Sequence, residues 1–203
     1  MQKALSTLLL SGLLAVASQA HAAVLTASDA TYAAFDSSSG TRSLVIGSHG
    51  SIKDVDIFID FAKCDDPAIQ GGDCIGQGSS FNREIVFRLT SPGGTTVDLV
   101  SQNTYGGQTP GAHVGVTFDD EALNAVGGSA LLSGAFRPVG SLAAFDGEDP
   151  FGSWTLFVQD TVGLDPLMYF NSRLAVQVPE PASLALMGLG LAGLAAGRRR
   201  KPV

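Results

Sequence analysis

Carboxylates carry most of the chemistry this sequence offers. Asp119, Asp120 and Glu121 end one apolar stretch, Asp146, Glu148 and Asp149 precede Trp154, and Asp160 closes the stretch that Trp154 opens. A Ca2+ ion takes roughly six to eight oxygen ligands at about 2.4 Å, and several loops can supply them together. Asp120, Asp146 and Asp160 are the residues expected to hold such an ion if these loops converge. The alternative is that they are turn-forming, solubilising acids, because Asp favours turns. Asp65, Asp66 and Asp73 form a second, smaller set.

Nucleophilic chemistry finds less support. Gly47-Ser48-His49-Gly50-Ser51 puts serines beside a histidine. Sequence neighbours rarely form a triad, and the segment is not a G-x-S-x-G elbow between strand and helix. It reads as a polar loop. The sequence has no phosphate-binding glycine loop, no H-E-x-x-H and no C-x-x-C. No catalytic residues are expected.

Period-two segments must position these groups. In 54–61, Val55, Ile57, Ile59 and Phe61 share one face, and Asp54, Asp56, Phe58 and Asp60 share the other. That pattern predicts a strand with one buried side. Same-face neighbours on a strand lie about 7 Å apart, too far to share one ion unaided, so the acidic side reads as solvated. Ile85, Phe87 and Leu89 make a second stripe, and after Ser91-Pro92-Gly93-Gly94 come Val97 and Leu99, which predicts a hairpin. Val114, Val116 and Phe118 follow, then Phe136-Arg137-Pro138. Trp154, Leu156 and Val158 make a further stripe, and Leu174, Val176 and Val178 close the series. Seven or eight strands without a long amphipathic helix predict an all-β, two-sheet sandwich.

The two ends differ in kind from this body. Lys3, the apolar run 5–17 and Ala20-His21-Ala22 follow the order of a secretory signal, with cleavage after Ala22. The other end carries Pro179-Glu180-Pro181, an uncharged apolar stretch over 182–196, and Arg198-Arg199-Arg200-Lys201. The apolar stretch is shorter than the roughly 20 residues that comfortably span a bilayer, and the basic run prefers the cytoplasmic side. This three-part ending resembles the PEP-CTERM sorting signal of Gram-negative bacteria. The resemblance implies recognition by an exosortase-type membrane protease, cleavage near the Pro-Glu-Pro, and an association with exopolysaccharide production.

Between the ends, residues 23–178 hold seven Lys/Arg against eighteen Asp/Glu, a net charge of −11 where the whole chain has −7. Nucleic acid and anionic lipid are poor partners for such a body. The compartment is oxidising, so Cys64 and Cys74 are expected to form a disulfide. Its short loop would stabilise by about 2–3 kcal/mol in the chain-entropy model. A metal pair is the weaker alternative, since no His or further Cys lies nearby.

Five motifs in order give the body a second resemblance. They are Ile52-Lys53-Asp54-Val55-Asp56-Ile57, then Leu89-Thr90-Ser91-Pro92-Gly93-Gly94-Thr95, Phe118-Asp119-Asp120 and Gly134-Ala135-Phe136-Arg137-Pro138, and finally the segment 142–160 around Asp146-Gly147-Glu148-Asp149-Pro150-Phe151-Gly152-Ser153-Trp154. Together they resemble the P domain (Homo B domain) of subtilisin-like proprotein convertases. That family implies a jelly-roll sandwich, a non-catalytic role beside a protease, and in some members calcium. A histidine common in the family's early strand is absent, and the loop between Cys64 and Cys74 looks like an insertion.

The expected organisation is a signal peptide over 1–22, a lead-in segment over 23–50, a P-domain-like jelly-roll sandwich over 51–178 and a sorting signal with a short membrane helix over 179–203. The expected protein is exported, with its body in the periplasm while it is anchored in the inner membrane. It then moves to the cell surface or extracellular matrix. Exopolysaccharide or a surface protein is the expected partner there. An accessory domain acting in trans on a subtilisin-like serine protease, or a calcium-dependent glycan- or protein-binding module, are the alternatives.

Overall fold

The computed structural model describes residues 22–65 and 79–179, with 188, 190, 191 and 193. Among these residues twelve strands form the body: β1 (Ala22–Asp29), β2 (Ala33–Phe35), β3 (Ser38–Ile46), β4 (Asp54–Lys63), β5 (Ser79–Phe81), β6 (Ile85–Thr90), β7 (Thr96–Val100), β8 (Gln108–Pro110), β9 (Ala112–Phe118), β10 (Gly134–Phe136), β11 (Gly152–Asp160) and β12 (Leu167–Pro179). One sheet runs β1-β12-β4-β9-β10, with β2 also paired to β12. The second runs β3-β11-β6-β7, and β5 pairs with β8. β10 runs parallel to β9; the other strand pairs are antiparallel. The chain is an all-β two-sheet sandwich.

The core lies where alternation places it. Val55, Ile57, Ile59 and Phe61 of β4 are buried, as are Ile85, Phe87 and Leu89 of β6, Trp154, Leu156 and Val158 of β11, and Leu174, Val176 and Val178 of β12. These side chains meet between the sheets. Phe61 of one sheet meets Phe87 of the other edge-on, with centroids 5.0 Å apart. The opposite face of β4 is half-buried, and two of its acids have partners there. Asp60 accepts from His113 Nε2 at 2.7 Å and from Asn171 Nδ2 at 2.8 Å, and Asp54 accepts from Gln177 Nε2 at 2.5 Å.

Residues 23–50 are not a lead-in. β1 pairs with β12 along its whole length, and β3 pairs with β11 from Ser38 to Ile46. The compact unit runs Ala22–Pro179. The boundary expected at residue 51 fails because β1 and β3 are edge strands. An edge strand needs little hydrophobicity, and in β1 the inward positions are held mostly by small residues, Ala23 and Ala27 beside Leu25.

Two of the sequence motifs interlock. Ser91 N donates to Thr95 O at 2.9 Å and Gly94 N to Ser91 O at 3.0 Å, closing the turn between β6 and β7. Gly94 takes φ +93°, which favours glycine. The Glu148 carboxylate then accepts from Ser91 Oγ at 2.5 Å and from Thr95 Oγ1. Gly152, at φ +126°, lies against Pro92, and a Cβ there would come within 3.0 Å of the proline Cβ. The acidic loop before β11 is thereby fastened to the turn. Trp154 enters the core beyond it, fully buried, edge-on to Phe145 at 5.0 Å, with Nε1 donating to Pro150 O at 3.0 Å. Trp154→Ala is expected to cost about 3–5 kcal/mol in chemical denaturation; a cost under about 1 kcal/mol would mean the ring is not a core anchor.

Candidate functional site

The period-two pattern of β4 carries one step further than its hydrophobic residues. Lys63 follows Phe61 on the inward face, and in β11 Asp160 follows Val158 on its inward face. The sheets face each other, so the two charges meet between them. Lys63 Nζ lies 2.7 Å from Asp160 Oδ2, 3.1 Å from Glu84 Oε2 and 3.3 Å from Asp165 Oδ2, and it also donates to the Asp165 carbonyl. Lys63 and Asp160 are 0 % exposed, and Glu84 and Asp165 are each 3 % exposed.

Two of the acids are also tied to the backbone around them. Asp160 accepts from Val162 N at 3.3 Å and Leu167 N at 3.1 Å, and Asp165 accepts from Phe81 N at 2.5 Å. Glu84 precedes Ile85, the ladder partner of Asp160. The cluster thus joins β4 of one sheet to β11 and the entry of β6 in the other, and it holds the connection into β12. Burial pushes the Asp160 carboxyl up to about 6, against the pull of Lys63. Burial also raises Glu84, again opposed by Lys63. Closed to solvent, this group has no access to a substrate; its chemistry is an ionic clasp between layers.

The expected calcium set is not assembled. Asp160 belongs to this clasp at the Lys63 end of β4. Asp120 and Asp146 lie at the other end, where both raise the carboxyl of Asp54. The ten residues of β4 separate the two ends by about 30 Å. Asp120 has a structural task, accepting from Ser141 Oγ at 2.7 Å and Ala143 N at 2.9 Å at the turn Leu142–Phe145. Among the described residues no three His, Cys, Asp or Glu side chains are placed to hold one metal ion. Of the second acidic set only Asp65 is described; Asp66 and Asp73 lie outside the described residues.

The Asp120 end is nonetheless crowded with charge. Asp56 is pushed up to about 6, first by burial and then by Asp54, Asp119, Glu121 and Asp120. Beside it, His49 Nδ1 lies 2.6 Å from Asp149 Oδ2, and the His49 ring stacks on Phe151 at 4.1 Å. The hydrogen bond from His49 holds Asp149 below the usual carboxylate range. The His49 and Asp149 side chains are 70 % and 51 % exposed, so this pair is a surface feature.

Cys64 is buried beside Ala62 and Met168, while Cys74 lies outside the described residues. So do Ala20, Glu180, Pro181 and Arg198-Arg199-Arg200; Ala22 and Pro179 are the first and last residues of the sandwich. Among the described residues no helix is long and apolar enough to cross a membrane.

Residues 177–201 match the PEP-CTERM protein-sorting motif. A chain bearing this motif is exported and sorted at a membrane by an exosortase. No curated protein matches the chain. Among solved structures it is similar to one titled "Crystal Structure of FLHE", with a TM-score of 0.42 and 11 % identity over 78 % of this chain and 98 % of that one. That likeness is too slight to bear on function.

Two outcomes follow from these buried charges. Lys63→Met leaves three carboxylates without their cation and is expected to cost about 3–5 kcal/mol in urea denaturation; a cost under about 1 kcal/mol would contradict the clasp. Asp160 and Asp56 bind protons more tightly in the folded state than at their ordinary 3.8. Their contribution to stability is full below that value and is lost as pH rises through about 6. The melting temperature is therefore expected to be higher at about pH 5 than at about pH 7, and a fall on acidification over that interval would contradict it.

Proposed function

We propose that the protein is an exported, non-catalytic module of the cell surface or extracellular matrix, released from the membrane by cleavage of its C-terminal signal. The observation that carries the reading is the junction between signal and body. The sorting motif begins at residue 177, and β12 runs without interruption to Pro179. The signal is thus joined directly to a closed sandwich. The other end supports the same picture, because the expected leader ends at Ala22, where β1 begins.

The body supports a binding or structural role. Its best-organised charged cluster is sealed from solvent, and its exposed acids hold turns. Exopolysaccharide or a surface protein is the partner class that the signal suggests. In an oxidising compartment Cys64 and Cys74 would form a cross-link beside the Lys63 end of β4. A second reading, an accessory domain acting in trans on a subtilisin-like protease, draws support from the interlocking of the Ser91–Thr95 and Glu148 motifs. Co-purification of such a protease would favour it.

Replacing Arg198, Arg199 and Arg200 with Ala is expected to block C-terminal processing and leave the precursor in the membrane fraction, as read by loss of a C-terminal tag in cells. Unchanged processing would refute the sorting reading.

A further inference from the structure

We infer that the His49–Phe151 stack, with Asp149, is a docking surface for the membrane enzyme that cuts the C-terminal signal; this rests on the sorting reading above. Gln177, Val178 and Pro179 belong both to the sorting motif and to β12. In the β1–β12 ladder Val24 pairs with Gln177, Ala23 with Val178 and Ala22 with Pro179. Lys53 N adds a bond to Gln177 O at 2.9 Å. The chain can leave the fold only after these pairs. Three residues extend at most about 10 Å, so an enzyme that grips Pro179-Glu180-Pro181 must press against this end of the sandwich.

The surface it meets there is specific. Gly50 lies against Val178, where a Cβ would come within 2.9 Å of the valine Cγ1. Gly50 N donates to Asp149 Oδ1 at 3.2 Å, and the adjacent His49 bonds the other oxygen of the same carboxylate. Phe151 N donates to Asp149 Oδ1 at 3.2 Å, which holds the backbone that carries the ring stacked on His49. The Asp149 carboxylate therefore organises two exposed rings beside the exit of β12. Exposed, pre-ordered aromatic groups are the kind of residue that carries binding energy at protein interfaces. The core does not use them, since Phe151 is 47 % exposed and His49 lies on the surface. The partner chemistry is a protein surface with an aromatic or cationic group to set on the stacked rings and Asp149.

The cut breaks one peptide C–N bond; the acyl carbon passes to water or an acceptor amine, and the amine leaves with the C-terminal fragment. The test follows the rate of C-terminal tag loss in cells for the full chain. His49→Ala with Phe151→Ala is expected to slow it about fivefold, with the melting temperature of the purified protein unchanged. A Gly/Ser spacer of about ten residues between Val178 and Pro179, which moves the motif by up to about 30 Å, is expected to slow it similarly. Combined, the two changes are expected to slow it no further. Wild-type rates in the double variant, or faster cutting once the motif is spaced away, would overturn the inference. If the arginine replacements block cutting while the double variant is cut normally, the docking surface alone fails. If the arginine replacements are cut normally, the sorting reading fails and takes this inference with it.

Discussion

A lysine ammonium buried between two β-sheets must be matched by carboxylates, because an isolated charge there is too costly to keep. Lys63 is matched by three, one on the facing strand, one at the entry to its neighbour and one in the connection that returns to the first sheet. This single requirement brings four parts of the chain to one place. Hydrophobic burial drives the sheets together without direction; the clasp adds a contact that depends on which residue of β4 faces which residue of β11. Three acids around one cation leave surplus negative charge; burial first, and the neighbouring acids after it, raise Asp160 and Glu84.

The opposite end is built on other terms. Its acids are largely exposed or spent on backbone donors, and its loops are fastened by Glu148 to the β6–β7 turn. Both chain ends leave the sandwich there as ladder partners, Ala22 opposite Pro179. One end is sealed by buried charge, while at the other the sorting motif begins within β12.

The inward stripes of β4, β6, β9, β11 and β12 were readable from alternation, because each carries large apolar residues at every second position. The edge strands β1 and β3 are not, since the inward positions of β1 are mostly small, Ala23 and Ala27 beside Leu25, and β3 buries large apolar residues only at its end, Leu44 and Ile46, after the half-buried Gly40 and Arg42. The clasp is harder still. Lys63 and Asp160 sit in phase with the apolar residues before them, so strict alternation contains the signal, but a charge at a strand end reads by default as solvent-facing. Sequence alone therefore groups Asp160 with Asp120 and Asp146, which share its chemistry and lie at the other end of the fold. The sorting signal was legible because its three parts depend on order and composition, whereas no residue pattern specifies what the body binds.

The most direct test of the account is a double-mutant cycle on Lys63→Met and Asp160→Asn, measured by urea denaturation of the purified protein. Direct pairing across the sheets predicts a coupling energy of about 2 kcal/mol or more. Effects that add to within about 0.5 kcal/mol would show that the two residues act independently, and that something other than this ion pair joins the layers at that end.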